Sequence, residues 1–421
     1  MSTIVSVNAR EVLDSRGNPT VEVEVHTKKH TAIGIAPSGA STGSMEAMEL
    51  RDGGKRYAGK GVTKAVGNVK TILAPALIGM DATDLEALDR AMVQADGTPN
   101  KSKVGANATT AASFAVAHLG AKEKGVALHE HLISRSHILP VPMMNVINGG
   151  KHAGSKLKIQ EFMIAPSGLP SYHEALQAGV EVYHSLKTVL KKKYGPAAIN
   201  VGDEGGFAPM LDSCREAMDL LLTAITEAGY TPGKEVGLAM DAAASEFYAD
   251  GVYELDGKKW TSAEMVDFYV ALSKEYPMVS IEDPFEEAAM DTMAELTAKI
   301  GARVQLVGDD MFVTQAAMVH KAIKKKAGNC MLLKVNQVGT ITEAFEAAKI
   351  CYGNGYGVMV SHRSGETEDT TIADIAVALG CGQIKTGAPC RGERTSKYNR
   401  LLRIEESLPN AAFLGGKAFK R

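Results

Sequence analysis

Between Leu238 and Lys385 the chain passes six times through a short apolar stretch and stops on a charged or polar side chain. The stops are Asp241, Glu282, Asp309, Lys334, the run His362-Arg363-Ser364, and Lys385. Continuous apolar runs of this length read as parallel strands buried on both faces, and most of the intervals leave room for one helix and two short loops. A βα repeat that closes on itself carries its strand C-termini to one mouth. The pattern therefore predicts three acids, two lysines, an arginine and a histidine around a single site.

The first third reads differently. Thr20-Val-Glu-Val-Glu-Val-His26 alternates strictly, as a half-exposed antiparallel strand does, after the turn composition Ser15-Arg-Gly-Asn-Pro19. A second strand, Thr31 to Ala36, leads into the small-residue loop Pro37–Gly43, and helical periodicity follows over Met45–Tyr57, Val62–Leu77, Leu85–Gln94 and Ala106–Lys124. Strands followed by helices make an α+β unit. The expected organisation is a smaller N-terminal α+β domain over 1–135 and an α/β barrel of the (β/α)8 type over 140–421. Val141–Val146 and Ile159–Ile164 are separated by a connection too short for a βαβ crossover, so the first barrel strands are expected to be irregular, with an antiparallel pair.

Composition narrows the class. With a net charge of −3 there is no electrostatic case for nucleic acid or an anionic membrane. No apolar run approaches the roughly 20 residues a membrane span needs. Five cysteines without a CxxC pair argue against a disulfide framework or a zinc site and favour a reducing compartment. With no apolar signal core near Arg10, Glu11 and Asp14, a cytoplasmic location is expected. The P-loop-like stretch Gly54–Lys60 fails because Gly61 stands where Ser or Thr is required. His129 and His131 lack a neighbouring third ligand and read as ordinary helix residues.

Asp241, Glu282 and Asp309 offer oxygen-only ligands from three strands, which suits Mg²⁺. Asp and Glu after strands often cap helices, but carboxylates crowded at one rim repel, and a divalent cation relieves that repulsion. Beside such a cluster, Lys334 and Lys385 are expected to have lowered pKa values, fitting one of them for general-base work. Arg363-Ser364 suits phosphate. If Glu161 and Glu204 share the mouth, one is expected to stay protonated and serve as a general acid.

The runs Ser38-Gly-Ala-Ser-Thr-Gly43, Gly150-Lys-His-Ala-Gly154, Gln160-Glu-Phe-Met-Ile-Ala-Pro166 and Gly202-Asp-Glu-Gly-Gly206 resemble those of the enolase family. So do Ser280-Ile-Glu-Asp-Pro284, Gly308-Asp-Asp310, Leu333-Lys-Val-Asn-Gln337, Ser361–Asp369 and Lys385-Thr-Gly-Ala-Pro389. The resemblance implies reversible dehydration of 2-phospho-D-glycerate to phosphoenolpyruvate, a step of glycolysis and gluconeogenesis. It implies a first Mg²⁺ on Asp241, Glu282 and Asp309, and a second that arrives with substrate and is helped by Ser41 on a mobile loop. Lys334 would take the C2 proton and Glu204 would protonate the leaving C3 hydroxyl. Arg363 and Ser364 would hold phosphate and Lys385 the carboxylate, with His152, Gln160, Glu161 and His362 lining the site. A homodimer or larger homo-oligomer is also implied. The competing readings are a racemase or cycloisomerase of the wider superfamily, and a surface-binding role using the basic tail Lys417, Lys420 and Arg421, with a cell-surface or secreted pool.

Overall fold

The computed structural model describes residues 2–40, 43–133, 137–153 and 156–419, without the side chains of His152 and Ala153. Eight strands close into a barrel, with the order Val141–Asn148, Glu161–Ala165, Gly237–Asp241, Met278–Glu282, Gln305–Gly308, Cys330–Leu333, Gly357–Ser361 and Gln383–Lys385. Six of the eight neighbour pairs are parallel. The second strand runs antiparallel to both of its neighbours. The expected irregular opening is present, and its consequence is chemical. Because this strand is reversed, its first residue, Glu161, lies level with the last residues of its neighbours, opposite Asp241 and Asn148.

Side chains alternate across a strand, so residues two apart share a face. Ser280 and Glu282 point inward together, as do Gln383 and Lys385. Below the rim, Gln305 and Gln383 exchange side-chain amide hydrogen bonds of 2.7 and 2.8 Å, and Gln305 also donates to Ser280. At the opposite end the Gly415–Phe419 turn packs against the barrel, and the Ala418 carbonyl accepts from Gln383 at 3.0 Å. Gly415 and Ala418 are buried against the barrel, while the basic side chain of this segment, Lys417, is exposed.

The N-terminal sheet, Ser6–Leu13, Pro19–His26 and Thr31–Ile35, is antiparallel and lies on the Ala106–Lys124 helix. Gly34 permits that approach, since a Cβ there would stand 2.4 Å from the Ala111 carbonyl oxygen and from the Ala115 nitrogen. The helix expected over Met45–Tyr57 is absent, and a short 3₁₀ turn at Arg56–Gly59 is the regular structure found nearby. Its backbone bonds go elsewhere: Ala47 N–H donates to the Gln337 carbonyl at 2.8 Å and Met48 N–H to the Asn100 carbonyl at 2.7 Å. Gly53 and Gly54 adopt φ of +73° and +72°, which ends any helical run. The segment instead straps the N-terminal unit to the barrel rim. No helix among the described residues is long and apolar enough to cross a membrane.

Candidate active site

Barrel closure gathers Gln160, Glu161, Glu204, Asp241, Asp309, Lys334, His362, Arg363, Ser364 and Lys385 around one cleft. Glu282 is fully buried beside it and bonds Lys385. Asp283 and Asp310 also line the cleft, although the sequence reading did not single them out. Ser41 lies outside the described residues, as does the side chain of His152.

Strand register explains the convergence. Glu282 sits opposite Asp241 on one side and Val307 on the other, and Lys385 sits opposite Ser361 and Met143. The Lys385 ammonium lies 3.0 Å from each of Glu161, Asp241 and Glu282. Burial opposes its charge, but those carboxylates outweigh burial and hold its pKa well above the ordinary lysine value. Lys334 Nζ lies 2.5 Å from Asp309 Oδ2. Burial again works to lower its pKa, yet Asp309 wins and the net shift is upward. The lowering expected for both lysines is therefore not produced by the protein's own charges, because each amine is held against carboxylate.

The acids carry the complementary strain. Burial first, then repulsion from Glu204, pushes Glu161 well above the ordinary carboxyl range. Burial and Asp241 do the same to Glu282, and burial and Asp309 raise Asp310 to about 7. Burial also works to raise Asp309, but Lys334 holds it below its usual value. Among the described residues, six carboxyl side chains line the cleft against three cationic ones. The donor set is oxygen-only, acidic in excess and buried, and it already grips an ammonium between Asp241 and Glu282, so it fits a hard divalent cation. Asp241, Glu282 and Asp309 are split between the two lysines here, while the tightest carboxylate group among the described residues is Asp283, Asp309 and Asp310.

Arg363 presents its fork to Glu46, with Nη1 at 2.9 Å and Nη2 at 3.1 Å from the two carboxylate oxygens. The bidentate geometry is the one an arginine offers to phosphate, and here a carboxylate fills it. Glu46 comes from the strap that replaced the expected helix. The N-terminal unit also reaches the site through Arg16, whose Nη1 lies 3.3 Å from Ser364 Oγ, and through paired Ser38–Gly365 backbone bonds of 2.8 Å. Lys151, Lys156 and Lys158 are exposed, and Lys151 pairs with Glu246 at 2.7 Å and Lys156 with Asp212 at 3.8 Å, on the outside of the loop.

Two further side chains escaped the sequence reading. Arg394 and Lys397 lie one turn apart on the Gly392–Ser407 helix, and both are completely buried. Lys397 bonds Glu366 at 2.9 Å and the Thr367 carbonyl at 2.5 Å. Arg394 holds the carbonyls of Arg363 and Ser364, each at 2.6 Å. Together they fix the loop that carries His362, Arg363 and Ser364. Their i, i+3 spacing, continued by Arg400 on Asp374, was the available signal, but a basic helix stripe ordinarily faces water. Gly387, at φ +83°, lets the loop after Lys385 close on Glu204, where a Cβ would stand 2.8 Å from the Glu204 carbonyl oxygen.

The comparisons agree with this geometry. Family models for the N-terminal domain of enolase and for the enolase C-terminal TIM barrel domain match residues 4–132 and 136–421. The chain belongs to the enolase family. It is 57% identical to the enolase of Methanopyrus kandleri over 419 residues, covering 99% of this chain and 98% of the relative. It is 56% identical to the enolase of Methanocaldococcus jannaschii, covering 98% and 97% of the two chains. The enolase of Thermococcus gammatolerans is 53% identical, with 99% and 98% covered. The activity is accordingly that of a phosphopyruvate hydratase, a carbon–oxygen hydro-lyase.

One group lining the cleft, His362, ties stability to acid. Burial lowers the pKa of His362 from 6.5 to about 4. Between those values the unfolded chain binds the extra proton, so stability is fully present above pH 6.5 and is lost as pH falls toward about 4. The loss expected from this residue is about 3 kcal/mol. Urea unfolding across that window should show a shallower pH slope in His362→Gln. An identical slope in the variant would assign the acid response to other groups.

Proposed function

We propose that this cleft converts 2-phospho-D-glycerate to phosphoenolpyruvate and water, reversibly, with Lys334 as the base at C2 and Glu204 as the acid at the C3 hydroxyl. The observation that carries the reading is the meeting of Lys334, Glu204, Lys385 and the His362–Ser364 run at one barrel mouth. Phosphate replaces Glu46 in the fork of Arg363, with Ser364 beside it. Lys385 receives the substrate carboxylate, whose charge grows as the C2 proton leaves. Lys334 takes that proton once its ammonium is freed from Asp309 and deprotonated. Glu204 then gives a proton to the departing oxygen, which leaves as water rather than hydroxide. Gln160, Glu161, His152 and His362 line the substrate.

Asp241, Glu282 and Asp309 would hold the first Mg²⁺, and Ser41 would help hold a second that comes with substrate. Bound there, Mg²⁺ supplies positive charge against the anion developing beside the carboxylate. The N-terminal unit, 1–135, contributes the Ser38–Gly43 loop that closes over substrate and excludes water. A cytoplasmic homodimer or larger homo-oligomer acting in glycolysis and gluconeogenesis completes the reading.

The direct test follows phosphoenolpyruvate absorbance from 2-phosphoglycerate, with and without EDTA. Turnover is expected with Mg²⁺ and its loss is expected on chelation. No product from 2-phosphoglycerate, with turnover of an unphosphorylated 2-hydroxy or α-amino acid, would instead support a racemase or cycloisomerase.

A further inference from the structure

A guanidinium carries N–H donors and no acceptor, and it does not lose its proton in a protein. Arg394 Nη1 lies 2.7 Å from Nδ1 of His362. Two N–H groups cannot share that distance, so Nδ1 must present its lone pair. A neutral imidazole with a bare Nδ1 carries its proton on Nε2. Burial of His362 keeps the ring neutral, in line with its lowered pKa.

Neither partner has room to adjust. Arg394 is completely buried, and its remaining bonds go to the carbonyls of Arg363, Ser364 and Asp203 at 2.6, 2.6 and 3.1 Å. His362 N–H donates to the Lys385 carbonyl at 2.9 Å, which fixes the other end of the residue. Thus the proton lies on Nε2, at the far side of the ring, which makes no hydrogen bond among the described residues but stands 3.4 Å from Oε2 of Glu204. The same oxygen accepts from Asn145 Nδ2 at 2.8 Å.

We propose that Arg394 is a positioning residue that locks His362 as the Nε2–H tautomer, and that His362 and Asn145 together confine the acid proton of Glu204 to Oε1. An oxygen facing two N–H donors behaves as the carbonyl-type oxygen of a carboxylic acid, and a proton placed there would oppose both. During dehydration the proton leaves Oε1 for the C3 hydroxyl oxygen, the carbon–oxygen bond breaks, and water departs. The carboxylate left behind carries its new charge toward the Asn145 amide, whose hydrogen bond strengthens, and toward Nε2–H of His362, which stands close enough to turn onto the charged oxygen. This assignment rests on the acid role of Glu204 given above and adds which oxygen acts and what enforces it.

The deciding measurement needs no substrate. In [15N]histidine-labelled wild-type protein at neutral pH, the ring resonances lost in His362→Gln should show a protonated Nε2 and a bare Nδ1. A protonated Nδ1 overturns the proposal. Kinetics give a second readout: Arg394→Gln should lower kcat about 10- to 100-fold, in addition to any rise in KM from freeing the Arg363 and Ser364 carbonyls, and Arg394→Lys should recover part of the kcat. An unchanged kcat in Arg394→Gln, or a loss confined to KM, also overturns it. Should Arg394→Gln fail to fold, the wild-type tautomer still decides. A wild-type enzyme inactive on 2-phosphoglycerate would count against the reaction and leave the tautomer result standing.

Discussion

Lys334→Ala is expected to lower kcat by about 10²- to 10⁴-fold, the range for removing a positioned general base, and to abolish exchange of the substrate's C2 proton with solvent. The amine sits at the end of the Cys330–Leu333 strand, buried and bonded to Asp309. In that pairing it is an ammonium and cannot accept a proton. Any cation that binds Asp309 competes for the same oxygen and lowers the lysine's proton affinity. The acidic limb of the pH–rate profile should therefore move to lower pH as Mg²⁺ is raised. A limb that ignores Mg²⁺, or C2 exchange that survives in Lys334→Ala, would remove this lysine from the base role. Circular dichroism of the variant separates lost chemistry from lost fold, since the alanine leaves Asp309 buried without its partner.

The second large effect is a split between two steps. Glu204→Gln should reduce dehydration by about 10²- to 10⁴-fold while proton exchange at C2 continues far closer to the wild-type rate. The amide oxygen of glutamine can still accept from Asn145 Nδ2, so local geometry survives while the transferable proton is gone. Isotope exchange monitored by NMR alongside phosphoenolpyruvate formation measures both rates in one sample. Equal decline of the two would mean that Glu204 serves the whole site rather than the leaving group.

Much of this site was readable because strand ends in a closed barrel are placed by counting. Asp241, Glu282, Lys334, Arg363 and Lys385 each follow an apolar run, and alternation along the strand decides which side chains face the mouth. Even the reversed strand was foreseen, from a connection too short to cross the barrel. Met45–Tyr57 misled because helical periodicity was present while its backbone partners, Gln337 and Asn100, lie far away in sequence. Arg394 and Lys397 were passed over because basic residues at helical spacing ordinarily face water, and nothing local marks the exception.

The lysine pKa values separate the two kinds of information most clearly. Residue types and spacing brought amines and acids to one rim, but the sign of each shift depends on distances of a few ångströms. Coulomb energy varies inversely with separation and with a local dielectric that burial sets, and neither quantity is written in the order of residues. The amino-acid sequence by itself determined the barrel, the family motifs and the set of groups at its mouth, because hydrophobic period and strand length act locally. Only the tertiary structure decided that Lys385 stands among Glu161, Asp241 and Glu282, that Glu46 fills the fork of Arg363, and that Arg394 faces Nδ1 of His362. Those pairings join segments up to 317 residues apart, and their direction follows from packing that no short window of sequence contains.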